Sequence, residues 1–309
     1  MGAGLAPEEG KFRFSLNVVR GFGFEGGHLE NTGLDKNGEV ISVPLHRHEV
    51  SLDYRRVELE LDYAFKDRWG VVLRVPYDIK DQEASVGFIE PALEEEKKAM
   101  LRNLNIHHRA ETYRGLSDLM LLATYKRDAL FREGDFLKIS AGTTLPTGKT
   151  EENPFELGDK GLEHLHIQFG TGTFDPLLEA NYWMPLARKF TIGGYARARF
   201  PLYANRKTYK GPGELTAGLQ LGYQLSKRLT LHLNTTAYHQ SFAYWDGEKD
   251  TNSGLVATSS MFGAAIKAWG DTSLSLDLRY PLGQRTLSEG DAFEQGPTLL
   301  FRISRAIIP

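Results

Sequence analysis

The sequence contains no cysteine. That excludes a disulfide framework and any thiolate-held metal. It leaves the compartment open, because a chain without thiols is equally safe in oxidising surroundings. No run reaches the roughly 18 apolar residues that a transmembrane helix needs. There is no dense block of Lys or Arg; 37 basic residues stand against 40 acidic ones, for a net charge of −3. Such a chain has no general attraction to nucleic acid. Residues Met1 to Pro7 lack the basic and apolar segments of a signal peptide. The expectation is either a cytoplasmic protein or a mature form whose leader has been removed. A mean hydropathy of −0.37 looks soluble, yet a membrane β-barrel hides its apolar face in alternation and scores the same way.

What the sequence has is glycine (32 residues), aromatics (11%) and alternation with a period of two, the signature of strands. Phe12, Phe14, Leu16 and Val18 alternate with polar residues. So do Val57 to Phe65 and Val71 to Tyr77, across a break at 66–68. The form recurs as paired runs at 119–125 and 137–143, 178–184 and 192–200, 217–225 and 229–237, and 262–268 and 274–280, with a last run at Leu299, Phe301 and Ile303. Five hairpins and one strand at each end predict an all-β fold: a transmembrane, antiparallel, up-and-down β-barrel of about 12 strands. Short periplasmic turns (66–68, 127–135, 185–189, 226–228, 269–271) should alternate with long extracellular loops (22–48, 81–114, 147–172, 203–213, 243–254, 283–294). The whole of 1–309 reads as a single outer-membrane domain, with a tail at 1–10. Pro76, Pro146, Pro201 and Pro281 each fall near the end of a strand that leads into a long loop. Proline cannot donate to a ladder, so regular pairing should stop there.

One parity of each strand is Leu, Val, Ile, Phe, Tyr or Ala; the other carries the charges. Aromatics cluster beside the short turns: Phe65, Trp69, Tyr125, Phe131, Phe136, Tyr182, Trp183, Phe190, Tyr223 and Trp269. This reads as an interfacial girdle and places the uncharged faces in the lipid of a bacterial outer membrane.

Four constellations could carry function. The charged parity would line the lumen, with Arg74, Arg197, Arg199, Arg279, Glu58, Glu60 and Asp277 as pore residues; mixed signs also suit a structural ion-pair network that fills the barrel. Seven of nine histidines lie in or beside long loops: His28, His46, His48, His107, His108, His164 and His166. His46 with His48, and His164 with His166, are spaced to project from one face of a strand, a geometry that can hold Cu or Zn; solvated loop histidines are the simpler reading. Residues 90–106 suggest a short amphipathic helix in the 81–114 loop, with Pro91 in its first turn and three glutamates at its N-terminal end. Leu93, Met100, Leu101 and Leu104 would share a face that captures a hydrophobic solute, or simply packs on the rim. Finally, His239 and Ser241 resemble the His-x-Ser of outer-membrane phospholipase A, although Phe242-Ala243 follow where that enzyme has Asn-Gly.

The centre of the chain resembles a known group. Gly115-Leu116-Ser117-Asp118-Leu119 with Tyr125-Lys126, then Leu145-Pro146-Thr147-Gly148, then Gly170-Thr171-Gly172-Thr173-Phe174-Asp175 look like the "GLGDL … KY", "LPTG" and "GTG-x-x-D" segments of the outer-membrane transporters labelled as the MetA pathway of phenol degradation. These are distant relatives of FadL-type hydrophobic-compound channels. The resemblance is best over about 110–185. It lacks a long N-terminal plug segment and a terminal aromatic. It implies an outer-membrane location and passive transport of small hydrophobic or amphipathic compounds, and it names no solute. From the residues alone, Gly148 should let the chain leave the wall through positive φ. Gly148-Lys149-Thr150 is no phosphate loop, because the earlier glycine and the following helix are missing. The alternatives are a membrane-embedded lipid hydrolase using His239 and Ser241, or a closed surface or metal-binding barrel. The expected partners are outer-membrane lipid and a small-molecule solute, with no nucleic acid and no cofactor; oligomeric state is left open.

Overall fold

The structure is a computed structural model that describes residue 7 and residues 9–288 and 292–307; most of the expected tail at 1–10 lies outside them. Twelve long strands form one antiparallel sheet: β1 (Phe12–Leu34), β2 (Val40–Ala64), β3 (Trp69–Phe88), β4 (Leu119–Asp128), β5 (Phe136–Leu145), β6 (Pro176–Ala187), β7 (Phe190–Arg199), β8 (Glu214–Gln224), β9 (Leu229–Gln240), β10 (Leu255–Lys267), β11 (Thr272–Thr286) and β12 (Thr298–Ile307). Each pairs with its neighbours in the chain, and β12 pairs back onto β1 from Phe12↔Ile307 to Gly21↔Thr298. Closure leaves no free edge. A short strand, Glu111–Leu116, covers the upper part of β3. A separate three-stranded sheet joins Tyr209–Lys210, Ala243–Trp245 and Glu248–Asp250.

The side-chain parity follows from this register. Leu59, Leu178, Leu219, Phe262 and Leu276 are each more than half exposed on the outside. On β8 the exposed leucines run from Leu215 to Leu221, with Leu225 just beyond the strand, about the length that tilted strands need to cross a bilayer. A soluble monomer rarely exposes so continuous an apolar surface. Against hydrocarbon the same belt carries no hydration penalty, so the fold is that of a membrane barrel. No described helix is long and apolar enough to cross a membrane. Phe65, Trp69, Phe131 and Trp269 are exposed at the short-turn rim. Trp183 and Phe136 depart from the girdle. They are cross-strand partners on the opposite parity to Tyr182 and Leu137, and Trp183 lines an internal cavity with Gln220 and His232.

The expected loop at 22–48 is mostly strand. β1 and β2 continue as a tall ribbon well past the belt and turn at 35–39. β3 follows them to Phe88, so about a third of the expected 81–114 loop is also ribbon or strand. The sequence hid this because the ribbon has no lipid-facing side and so no apolar alternation. The membrane-crossing parts of these three strands are about 12–21, 54–64 and 69–79. Helix α1 (Glu94–His107) lies against the ribbon. It starts after Pro91, where Glu96 accepts a hydrogen bond from the Leu93 N–H (2.7 Å). Ala99 and Met100 pack on Val43, and Gly33 lets the helix approach: a Cβ there would sit 3.0 Å from Ala99.

The prolines mark breaks in pairing, each in its own way. Pro146 and Pro201 follow strand ends. At Pro281 the β10–β11 register shifts. Opposite Pro76 the neighbouring strand is interrupted between Leu116 and Leu119, so the missing N–H has no ladder to leave incomplete.

Candidate functional site

The lumen is crossed by paired charges. Asp62 accepts from Arg13 (2.7 Å) and Lys138 (2.9 Å). Arg74 links Glu60 (2.9 Å) to Glu179, Arg302 adds a second guanidinium to Glu60 (2.8 Å), and Arg197 lies 3.4 Å from Glu179. Nearer the long-loop rim Arg199 pairs with Glu214 (3.0 Å) and Arg56 with Asp78 (2.7 Å). Of the remaining expected residues, Glu58 accepts from Asn17 (3.2 Å), Asp277 bonds His232, and Arg279 donates to the Thr298 hydroxyl (3.2 Å). All seven face inward, but each charge has a local partner, as buried ions require. Sequence reasoning missed Glu214, although it shares the polar parity of Thr216 and Gln220.

Above this layer the three motif segments meet. The Asp118 carboxylate accepts from the backbone N–H groups of Gly148 (2.9 Å) and Thr171 (2.7 Å). The Thr171 hydroxyl lies between the carboxylates of Asp118 (3.1 Å) and Asp175 (2.9 Å). Thr173 donates to Asp175 (2.6 Å), whose own N–H donates to Thr144 (2.9 Å). Gly148 does not have positive φ; it is needed because a Cβ there would come within 2.7 Å of the Gly170 backbone. Gly172, at φ +70°, is the left-handed residue. The node folds the 146–175 segment inward. Lys80 donates to the Gln168 carbonyl (3.1 Å) and lies over the Phe169 ring. Below it is a cavity of about 330 Å³ lined by Tyr54, Met120 and Phe169, with Arg56, Asp78 and Lys80 from β2 and β3 and Arg197, Arg199 and Glu214 from β7 and β8.

A histidine cluster lies partway along the ribbon, above the membrane-crossing segments. His28 and His48 are cross-strand partners, and His46 follows on the same face. α1 delivers His107 and His108 to them, and the 146–175 segment delivers His164 and His166, whose rings stack on His107 and His108. Ring nitrogens approach at 3.0 Å (His28–His108), 3.1 Å (His48–His107) and 3.3 Å (His46–His48). Burial, then neighbouring imidazoles, holds His48 down to about 3 and His107 and His108 to about 2. Those three rings are therefore neutral at physiological pH, with one lone pair each. The expected pairs 46/48 and 164/166 are thus brought together, with His28, His107 and His108 between them. Two cavities, of about 310 and 390 Å³, flank the cluster.

The four expected capture residues do not share one exposed face. Met100 (0% exposed) and Leu104 (4%) are buried against the ribbon, whereas Leu93 (73%) and Leu101 (44%) are open. The hydrolase pair is not assembled either. Ser241 Oγ accepts from the Gly213 N–H (2.9 Å) and donates to the Phe242 carbonyl (3.2 Å), and no hydrogen bond among the described residues joins it to His239.

No known family and no curated protein matches this sequence. Among solved structures the chain is similar to an outer-membrane channel from Pseudomonas putida F1, at a TM-score of 0.60 and 15% identity over 99% of both chains. A mutant of the TodX monoaromatic hydrocarbon channel is more distant, at 0.48 and 10% identity over 96% of this chain and 90% of that one. So is the NanC porin, at 0.46 and 9% over 94% and 98%. The first likeness places the fold among outer-membrane channel barrels.

Proposed function

We propose that this protein is a passive outer-membrane channel for small hydrophobic or amphipathic compounds, with its short turns in the periplasm and its long loops outside. The observation that carries this reading is the 330 Å³ cavity at the upper end of the lumen. Its volume is within the usual range for a small-ligand site, at the lower end of about 300–1,000 Å³. Tyr54, Met120 and Phe169 offer apolar surface, and Arg197, Arg199 and Lys80 offer charge for an acidic or polar end. The paired charges below it disfavour a wide aqueous pore and suit stepwise passage of single solutes. Leu93 and Leu101 are the first contacts for a solute arriving from outside, and the fold shared with a solved outer-membrane channel supports the assignment. The test is uptake of small aromatic acids and neutral aromatics by proteoliposomes. Substituting Arg197 and Arg199 by Gln should slow the acids more than the neutral compounds. Uptake no faster than in protein-free liposomes would refute the reading.

A further inference from the structure

The histidine cluster has a hydrogen-bond pattern that channel function does not explain. A carbonyl oxygen can only accept, so His46 Nδ1, facing Pro44 O (3.0 Å), must carry its proton. The same holds for His28 Nδ1 on Leu29 O (3.2 Å) and His164 Nδ1 on Leu162 O (2.8 Å). In three rings from three segments, a backbone carbonyl one or two residues away fixes the tautomer and puts the lone pair on Nε2, which in His28 and His46 faces a neighbouring ring of the cluster. Metal-ligating histidines are commonly oriented this way, by a partner on the other nitrogen. The protons then follow in sequence. His48 Nε2 donates to His46, so His48 Nδ1 is a lone pair; His107 Nε2 donates to it, and His107 Nδ1 is left as a buried lone pair with no partner among the described residues.

We propose that these histidines form a binding site for a divalent transition-metal ion of the Zn²⁺ or Cu²⁺ type, held by His28, His48, His107 and His108. One ring nitrogen from each lies within 4.8 Å of all the others. Two of the contacts, His28–His108 at 3.0 Å and His48–His107 at 3.1 Å, are N–H···N hydrogen bonds donated by His108 and His107. Both separations approach the edge of a tetrahedron, about 3.3 Å for metal–nitrogen bonds of about 2.0–2.1 Å. An ion would take the place of the shared proton as His107 and His108 move theirs to Nδ1. The nearby Glu30 carboxylate is turned away onto the Asn31 and Thr32 N–H groups and the Thr32 hydroxyl. The donors are therefore all imidazole nitrogen, a set suited to Zn²⁺, Cu²⁺ or Ni²⁺ and unsuited to Ca²⁺ or Mg²⁺, which need oxygen. An ion there would join β1, β2 and the end of α1, and His164 and His166 would pack the 146–175 segment around it.

The test uses the full chain without an affinity tag, stripped by chelator and held in detergent. Titration calorimetry with Zn²⁺, Cu²⁺ and Mg²⁺ should show one Zn²⁺ or Cu²⁺ per chain and no Mg²⁺. His48→Ala with His108→Ala should weaken Zn²⁺ binding by about tenfold or more; His239→Gln, outside the cluster, should leave it unchanged. Heat-modifiable gel migration shows that each variant is folded. Co²⁺ added to the unaltered protein should give the intense visible bands of a four-coordinate nitrogen site, whatever the variants do. Absence of Zn²⁺ and Cu²⁺ uptake, Mg²⁺ uptake equal to Zn²⁺, unchanged affinity in the folded double variant, or a Co²⁺ spectrum of the weak octahedral kind would each overturn the site. None of these readings depends on solute passage.

Discussion

Replacing Asp118 with alanine should release the segment that closes the upper lumen. The carboxylate is 4% exposed and accepts from the N–H groups of Gly148 and Thr171 at 2.9 and 2.7 Å, with the Thr171 hydroxyl at 3.1 Å. A hydrogen bond to a charged group is worth about 1.5–3 kcal/mol net. Losing the two backbone bonds should therefore cost about 3–6 kcal/mol, and the hydroxyl keeps Asp175 as its partner. At about 1.4 kcal/mol per factor of ten, the open population of the segment should rise at least a hundredfold. The barrel wall should stay intact, because its strands pair independently of this node. Two assays read the effect. Protease sensitivity should appear within 147–172 while heat-modifiable migration is retained, and conductance in planar bilayers should rise above that of the unaltered protein. Unchanged cleavage and conductance in a folded variant would show that Asp118 does not anchor the segment, and the reasoning would fail.

Other predictions follow from single contacts. Arg74→Met leaves Glu60 and Glu179 facing each other in the lumen with less compensation and should lower stability to urea by about 3–5 kcal/mol, measured by tryptophan fluorescence in liposomes. Met100→Ala should loosen α1 from the ribbon, costing about 2–5 kcal/mol of local stability seen as faster amide exchange in the helix; Leu93→Ala should leave exchange unchanged and slow solute uptake instead. At the short-turn rim, burial pushes Asp135 up, but the Tyr182 hydroxyl and the N–H groups of Phe131, Leu130 and Arg132 outweigh it and hold the carboxyl below its ordinary 3.8. Its contribution is therefore present above about pH 4 and lost as pH falls through the lowered value. Amides 130–132, corrected for intrinsic rate, should exchange faster at pH 3 than at pH 6, and a turn equally protected at both would contradict this.

How far the sequence could be read depended on what each face touches. In the lipid zone every second residue must be apolar, so Ala217, Leu219, Leu221 and Tyr223 announced a strand and its outward face. Above the lipid that constraint ends. The stretch from Gly21 to His28 has four glycines, one glutamate and no sustained apolar period, so the ribbon looked like loop. The pairing of His28 with His48 is a register fact, invisible until the ribbon is recognised. The spacing of His46 and His48 hinted at a shared face, but only the docking of α1 brings His107 and His108 to it. That docking also explains Met100 and Leu104: their face meets Val43 and Gly33, a surface the linear pattern did not reveal. Likewise, Gly148 looked like a turn residue, and its reason is close approach to Gly170, which in turn packs on Asp118.

A barrel of this parity sits in a membrane only if its outward apolar face meets hydrocarbon. Spin labels placed singly at 215–221 of β8, in proteoliposomes, test this through collision with oxygen and with a water-soluble nickel chelate. Labels at Leu215, Ala217, Leu219 and Leu221 should favour oxygen, and labels at Thr216, Gly218 and Gln220 should not, in strict alternation. A label at Leu219 that meets the nickel chelate more readily than oxygen would contradict the account.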